Sequence, residues 1–183
     1  MSGSVGDNTA RASGVIASAG GGAILQVKSV AVTSTISVGT SGTPVAVTPF
    51  DIAFTPTADN SVLCLQLSMS SGPDGTSVGG YFYDSTGAAE IMPYADSGGS
   101  RQRLTFIDFT SGGSYTTPVT YMAWFAPGDT TTRTIQVWAA AHSTSHLYLN
   151  RSYNDSAVTT INNARSASTF TITEYDGSLV TVA

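Results

Sequence analysis

The chain is poor in charge. Only 10% of its 183 residues are Asp, Glu, Lys or Arg, against about 25% in an ordinary soluble domain. One lysine and two glutamates are present. The polar residues that best support helices are therefore nearly missing, which excludes a mainly helical fold or a long coiled coil. Seven cations against twelve acids leave a net charge of −5 and a pI near 4.6, so no clustered basic groove for nucleic acid can form. A lone cysteine, Cys64, excludes an internal disulfide framework. No run approaches the roughly 18 apolar residues of a membrane helix. Residues Met1 to Asp7 lack the cationic and apolar regions of a signal peptide. A chain of this length buries roughly 70% of its unfolded surface, so one domain can stand without staples.

What is present in quantity is Ser (25), Thr (26) and Gly (19), within a chain that is 41% apolar. Residues 1–22 are mostly Gly, Ser and Ala and end in Gly20-Gly21-Gly22. Such a segment has too little apolar surface to fold alone. It reads either as a flexible tail or as an extended docking arm gripped by a neighbouring copy or a larger assembly. The arm is the expectation taken here, with Val5, Asp7, Arg11, Val15 and Ile16 as the residues to be gripped.

From residue 23 to 183 short alternating segments are separated by turn residues. Val30, Val32, Ile36 and Val38 make 24–38 a half-buried strand. Residues 44–54 form a second strand, broken by Pro49 and so at an edge or a bulge. After a turn at 56–60, Leu63, Leu65, Leu67 and Met69 share one face of a central strand, with Val62 and Cys64 on the other. Turns are predicted at 70–75, 111–114 and 127–129. A loop is predicted at 85–100 and a polar excursion at 150–167. Strands are predicted at 78–84, 103–109, 119–125 and 134–140, around Leu147 and Leu149, and around Phe170 and Ile172. A last strand at 179–182 follows Asp176-Gly177. Eight to ten strands without a helix predict an all-β fold, an antiparallel β-sandwich with a jelly roll as the first topology.

Residues with chemistry to offer are few. Ser and Thr are too abundant to mark a nucleophile, Gly-x-Ser-x-Gly is absent, and only two histidines are available as bases. Paired carboxylates for glycoside cleavage would come from acids such as Asp74, Asp96, Asp129 and Asp155, whose turn positions already explain them. His142 and His146 have a zinc-type spacing only on a helix, and this segment reads as a strand end. Cys64, in an apolar run, reads as a small buried hydrophobe. Asn150-Arg-Ser152 and Asn154-Asp-Ser156 match the glycosylation triplet and are read as chance. Neither an enzyme, a metal site nor a cofactor is expected. The aromatics Tyr81, Phe82, Tyr83, Phe106, Phe109, Tyr121, Trp124, Phe125 and Trp138 fall on both faces of their strands. This fits either one generous core or a subunit interface, since a sandwich strand usually wets one face.

Residues 146–175 run His-Leu-Tyr-Leu-Asn-Arg-Ser, an Asn/Asp-rich stretch, then Ala-Arg-Ser-Ala-Ser-Thr-Phe-Thr-Ile-Thr-Glu-Tyr. With Leu25-Gln-Val-Lys-Ser and Phe54-Thr-Pro-Thr-Ala-Asp-Asn-Ser-Val-Leu upstream, the chain over about 24–175 resembles a family of phage virion β-domains carried on tail fibres and other exposed virion proteins. The family usually stops soon after the Glu, and 176–183 departs from it. The resemblance implies compact jelly rolls, often trimeric, and singles out Asn150, Arg151, Arg165 and Glu174 as recurring positions. The role expected for them is structural: Arg151 or Arg165 pairs with Glu174 and pins the long loop to the last strand. The implied function is that of a virion structural protein located in the virion: a homotrimeric short fibre or fibre tip, docking to other virion proteins through 1–22 and adhering to a host surface glycan. Loops 70–77, 93–100, 111–117 and 150–165 are the candidates for that adhesion. A capsid cement or head decoration protein is the alternative, and a carbohydrate-binding module outside any virus the second. No nucleic acid and no membrane insertion is expected.

Overall fold

A computed structural model describes residues 24–40, 43–73, 77–91, 103–109, 116–141, 146–152, 155 and 165–180. They contain twelve strand segments: β1 (Ile24–Val32), β2 (Ile36–Gly39), β3 (Val45–Ala46), β4 (Ile52–Phe54), β5 (Val62–Pro73), β6 (Ser77–Asp84), β7 (Ala89–Ile91), β8 (Phe106–Phe109), β9 (Thr117–Phe125), β10 (Arg133–Ala141), β11 (His146–Leu149) and β12 (Ser168–Tyr175). The only helical piece among them is one 3-10 turn, Thr48–Phe50.

The register joins these segments into eight lines. β1 and β2 pair antiparallel with β12 and β11 respectively, and both β12 and β11 pair with the single long β5. β5 carries β9 on its other edge. The first sheet is therefore β1/β2, β11/β12, β5, β9. In the second, β3 and β4 lie end to end against β10, and β8 and β7 end to end against β6, which pairs with β10. Numbered along the chain, the two sheets read 1-8-3-6 and 2-7-4-5. That interleaving of two Greek keys is a jelly roll.

Alternation decides which face goes inside. Leu63, Leu65, Leu67 and Met69 of β5, Phe170 and Ile172 of β12, Ile135 and Val137 of β10 and Phe82 of β6 are at most 1% exposed and meet between the sheets. Phe82 stacks on Phe170 across the gap, ring centres 5.5 Å apart. Val30, Ile36, Val38, Tyr121 and Phe125 pack against this core from its margins. Pro49 sits in the 3-10 turn that interrupts an edge line, where a missing amide hydrogen is harmless.

Several predicted boundaries move. The single strand expected over 24–38 is broken into β1 and β2, and the one expected over 103–109 begins at Phe106. The chain does not turn at residue 70, because Ser70 to Pro73 still pair with Pro118 and Thr117 on one side and with β11 on the other. Gly72 makes this possible: a side chain there would strike the carbonyl of Arg151 and lie 2.8 Å from Ser152 Cα. The stretch 85–100 contains a short strand, β7, added to β6. The described part of the tail turns at 176–179, with Leu179 N donating to Asp176 O, and Leu179 is 59% exposed.

Candidate functional site

Two buried polar fasteners hold the first sheet. The first lies where β11 ends. Beyond Leu149, Asn150 meets Ser166, whose amide donates to Asn150 O at 3.2 Å. Asn150 is fully buried with φ +59, a conformation Asn tolerates better than most residues. Its amide nitrogen donates to Val32 O (2.7 Å) and Ser34 O (2.9 Å), and its side-chain oxygen accepts from Ser168 Oγ (2.6 Å). One side chain thus spans the breaks in both interrupted lines, between β1 and β2 and between β11 and β12. An amide committed in this way has no room for a glycan, so the first glycosylation triplet is a chance match. Asn154 lies outside the described residues.

The second fastener closes the far end of the sandwich. Glu174 is fully buried. Its Oε1 accepts from Thr57 N (2.6 Å), Thr57 Oγ1 (2.8 Å) and Ser61 Oγ (2.5 Å), and its Oε2 from Gln26 Nε2 (2.6 Å). Gln26, Thr57, Ser61 and Glu174, distant in sequence, thus meet at one carboxylate.

The expected ion pair between Glu174 and Arg151 or Arg165 is not formed. Both arginines instead gather on Asp155, Arg165 at 3.0 Å and Arg151 at 3.6 Å. Arg165 also donates to Thr35 Oγ1 (3.0 Å), and the Arg151 guanidinium lies 4.1 Å from the Tyr148 ring centre. The cause is distance along an extended strand. Six residues from Ser168 to Glu174 carry the carboxyl about 20 Å from the start of β12.

Sequence reasoning missed a third polar cluster. Asp84, 1% exposed, accepts from Thr86 N and Gly87 N at 3.0 Å each and pairs through its other oxygen with Arg133 Nη1. Arg133 Nη2 reaches Asp129 at 2.6 Å. Burial works against the Arg133 charge, but hydrogen bonds and charges from Asp84 and Asp129 outweigh it and raise the guanidinium's already high pKa. The signal was the Asp-Ser-Thr-Gly turn at 84–87, which asks for an Asp accepting from the amides after it. Its cation, 49 residues away, was not legible. Asp129 does serve its turn, accepting from Thr131 N at 2.9 Å.

The outer faces carry aromatics. Both tryptophans stand outside the core, one on each sheet. On the first sheet, register aligns Val27, Thr173, Cys64 and Trp124 across four strands. Tyr175 packs on Trp124 at 5.4 Å, while Val27 and Met122 are 47% and 50% exposed. Cys64 is buried on this outer side, and burial pushes its thiol pKa up. On the second sheet Trp138 stands among Tyr81 and Tyr83. Phe82 and Phe106 are core; the side chain of Phe109 lies outside the described residues. A shallow groove of about 340 Å³ runs between β8 and β9, lined by Phe106, Ile107, Val119 and Tyr121 with Thr105 and Thr120.

Other sequence candidates fall elsewhere. His146 stacks on Tyr148 at 5.8 Å, while His142 lies outside the described residues, as do Val5, Asp7, Arg11, Val15, Ile16 and most of the four candidate loops. Among the described residues no three His, Cys, Asp or Glu gather as a metal site would need.

No family model and no curated protein matches the chain. Among solved structures, the structure of infectious bursal disease virus Gx strain matches at 10% identity with a TM-score of 0.39, covering 82% of this chain and 36% of that one. This chain thus spans little more than a third of that protein's length. Nothing about function follows from a likeness at that score.

Proposed function

We propose that this chain is a virion structural protein that works by self-association and attachment, as a homotrimeric short tail fibre or fibre tip. Residues 1–22 dock it to other virion proteins, and the sandwich adheres to the host surface. The observation that carries this reading is the outward placement of both tryptophans, one on each sheet and each beside further aromatics. Large aromatics are enriched at interfaces. On the first sheet the row Val27, Thr173, Cys64 and Trp124, with Tyr175 packed on Trp124, is free of charged side chains, Thr173 bringing its one aliphatic hydroxyl. That composition suits the centre of an interface between copies. The sequence resemblance of 24–175 to phage virion β-domains supports the virion assignment and the trimer. With several trimers on one particle, weak individual contacts sum to firm attachment.

The test is the mass of the full-length protein in solution by light scattering. Three times the 18.8 kDa chain mass is expected, and a stable monomer overturns the reading. Cryo-electron microscopy of the virion then locates it. Density on the tail is expected; density on the head replaces the fibre with a capsid decoration protein.

A further inference from the structure

The outer face of the second sheet is built differently from that of the first. Ile135, Val137 and Ala139 of β10 and Phe82 of β6 point into the core with no exposure. Alternation therefore turns Gln136, Trp138, Tyr81 and Tyr83 outward, all part-exposed. Trp138 stands opposite Tyr81, and Gln136 opposite Tyr83. Trp138 lies 4.7 Å from Tyr83 and 5.9 Å from Tyr81 between ring centres.

The cluster is held in place by polar groups. Trp138 Nε1 donates to Gln136 Oε1 at 3.0 Å, and Gln136 Nε2 donates to Asp51 Oδ2 at 3.0 Å. This fixes the indole in one orientation, with its own donor spent. Glu90 stands opposite Tyr83 on the other flank. The rings are thus bordered on both sides by exposed carboxylates, Asp51 and Glu90. Burial raises the Tyr81 phenol pKa, and the charge of Glu90 adds to the effect, which places that carboxylate within electrostatic reach of the rings.

We propose that this face is the adhesive site and that it binds a neutral hexopyranose of a surface glycan. The inference rests on the attachment reading above and names its ligand class. A pyranose offers a patch of weakly positive C–H bonds that suits the negative face of an aromatic ring. Around that patch it carries hydroxyl donors for carboxylates and amide oxygens, and such charge-assisted bonds are the strong ones. A few polar groups beside an apolar surface is the usual composition of a small-ligand site.

Charge selects among the occupants. Among the described residues, the carboxylates placed beside the rings, Asp51 and Glu90, are anions, so a sialylated or sulfated sugar is disfavoured there. A second copy docking through its first-sheet row is disfavoured too: it would have to desolvate Asp51 and Glu90, and that row brings no cation to pair with them.

The experiment titrates the full-length protein with methyl glycosides of mannose, glucose and galactose and with the methyl glycoside of N-acetylneuraminic acid, read by calorimetry and by intrinsic tryptophan fluorescence. At least one neutral glycoside is expected to saturate, with the anionic glycoside silent. Trp138→Ala should weaken binding by about tenfold or more. Should that variant not fold, Asp51→Asn and Glu90→Gln on the surface carry the test, each with a several-fold loss. The proposal is overturned if no neutral glycoside binds, if the anionic glycoside binds equally well, or if the folded variants bind as the parent does. Mass measurement separates the two readings. A trimer that binds no sugar sinks this site and leaves the assembly standing, and a monomer that binds sugar through Trp138 does the reverse.

Discussion

Replacing Glu174 by Gln changes one atom at the closed end of the sandwich and reverses its bonding logic. Every partner of this carboxylate donates: Thr57 N, Thr57 Oγ1, Ser61 Oγ and Gln26 Nε2. A glutamine can keep its single oxygen toward Thr57 and Ser61, but its NH₂ then faces the NH₂ of Gln26. Gln26 cannot simply turn over, because the same nitrogen donates to Thr55 O at 2.7 Å. One bond is lost with its donor stranded, at a cost of about 1–3 kcal/mol, and the remaining bonds lose the roughly twofold strength that a charged acceptor supplies. The sum is about 3 kcal/mol, which lowers Tm by about 6–12 °C in a chain of this size. Circular dichroism melting at one protein concentration, repeated in urea, reads it directly. Arg165→Ala is the control. Its side chain is 60% exposed on Asp155, so the loss should stay within about 1 kcal/mol. A Glu174→Gln protein melting within about 2 °C of the parent, or an Arg165 variant that suffers more, would refute the reasoning.

The remaining predictions concern the other fasteners and the titrating groups. Asn150→Ala removes three side-chain hydrogen bonds from a residue at positive φ. It should cost about 3 kcal/mol, with hydrogen exchange quickening first at the start of β12 and not uniformly. Asp129 and Asp176 are held below the ordinary carboxylate value of 3.8, chiefly by the backbone amides of Thr131 and Ser178. Their contribution is therefore complete above about pH 3.8 and lost as pH falls through their lowered values, so Asp129→Asn should flatten the Tm profile only in that acid range. Cys64, buried and with its thiol pushed above 9.0, should react with Ellman's reagent at pH 8 far more slowly in the native protein than in guanidinium. Equal rates would put the thiol at the surface.

Alternation and turn chemistry made most of the sandwich readable. Leu63 to Met69 and Val119 to Phe125 carry period-two patterns, and their inward faces are the ones the core uses. Three things hid from the sequence. Strand β5 runs on through Ser-Ser-Gly-Pro, a run that spells a turn, because pairing on both sides overrides local preference there. The segments around Leu147 and Phe170 look like separate strands in sequence, since only register shows that β11 and β12 are one line against β5. Charge pairing alone points Glu174 toward a cation. The fold supplied hydroxyls and amides from segments more than a hundred residues away. Asn150 and Glu174 were visible as candidates; their partners were not, because contacts between distant segments are set by topology.

The tie at Asn150 has a consequence for how such a protein can change. Asn150, Ser166 and Ser168 are bonded to one another and to the chain just past β1, while Arg151 and Ser152 lie against Gly72 and Asp155 is held by two arginines. These positions have to be kept. Residues added between 156 and 164 lengthen only the chain between two points already fastened, at little entropic cost, and that is where a foreign peptide would be grafted for presentation.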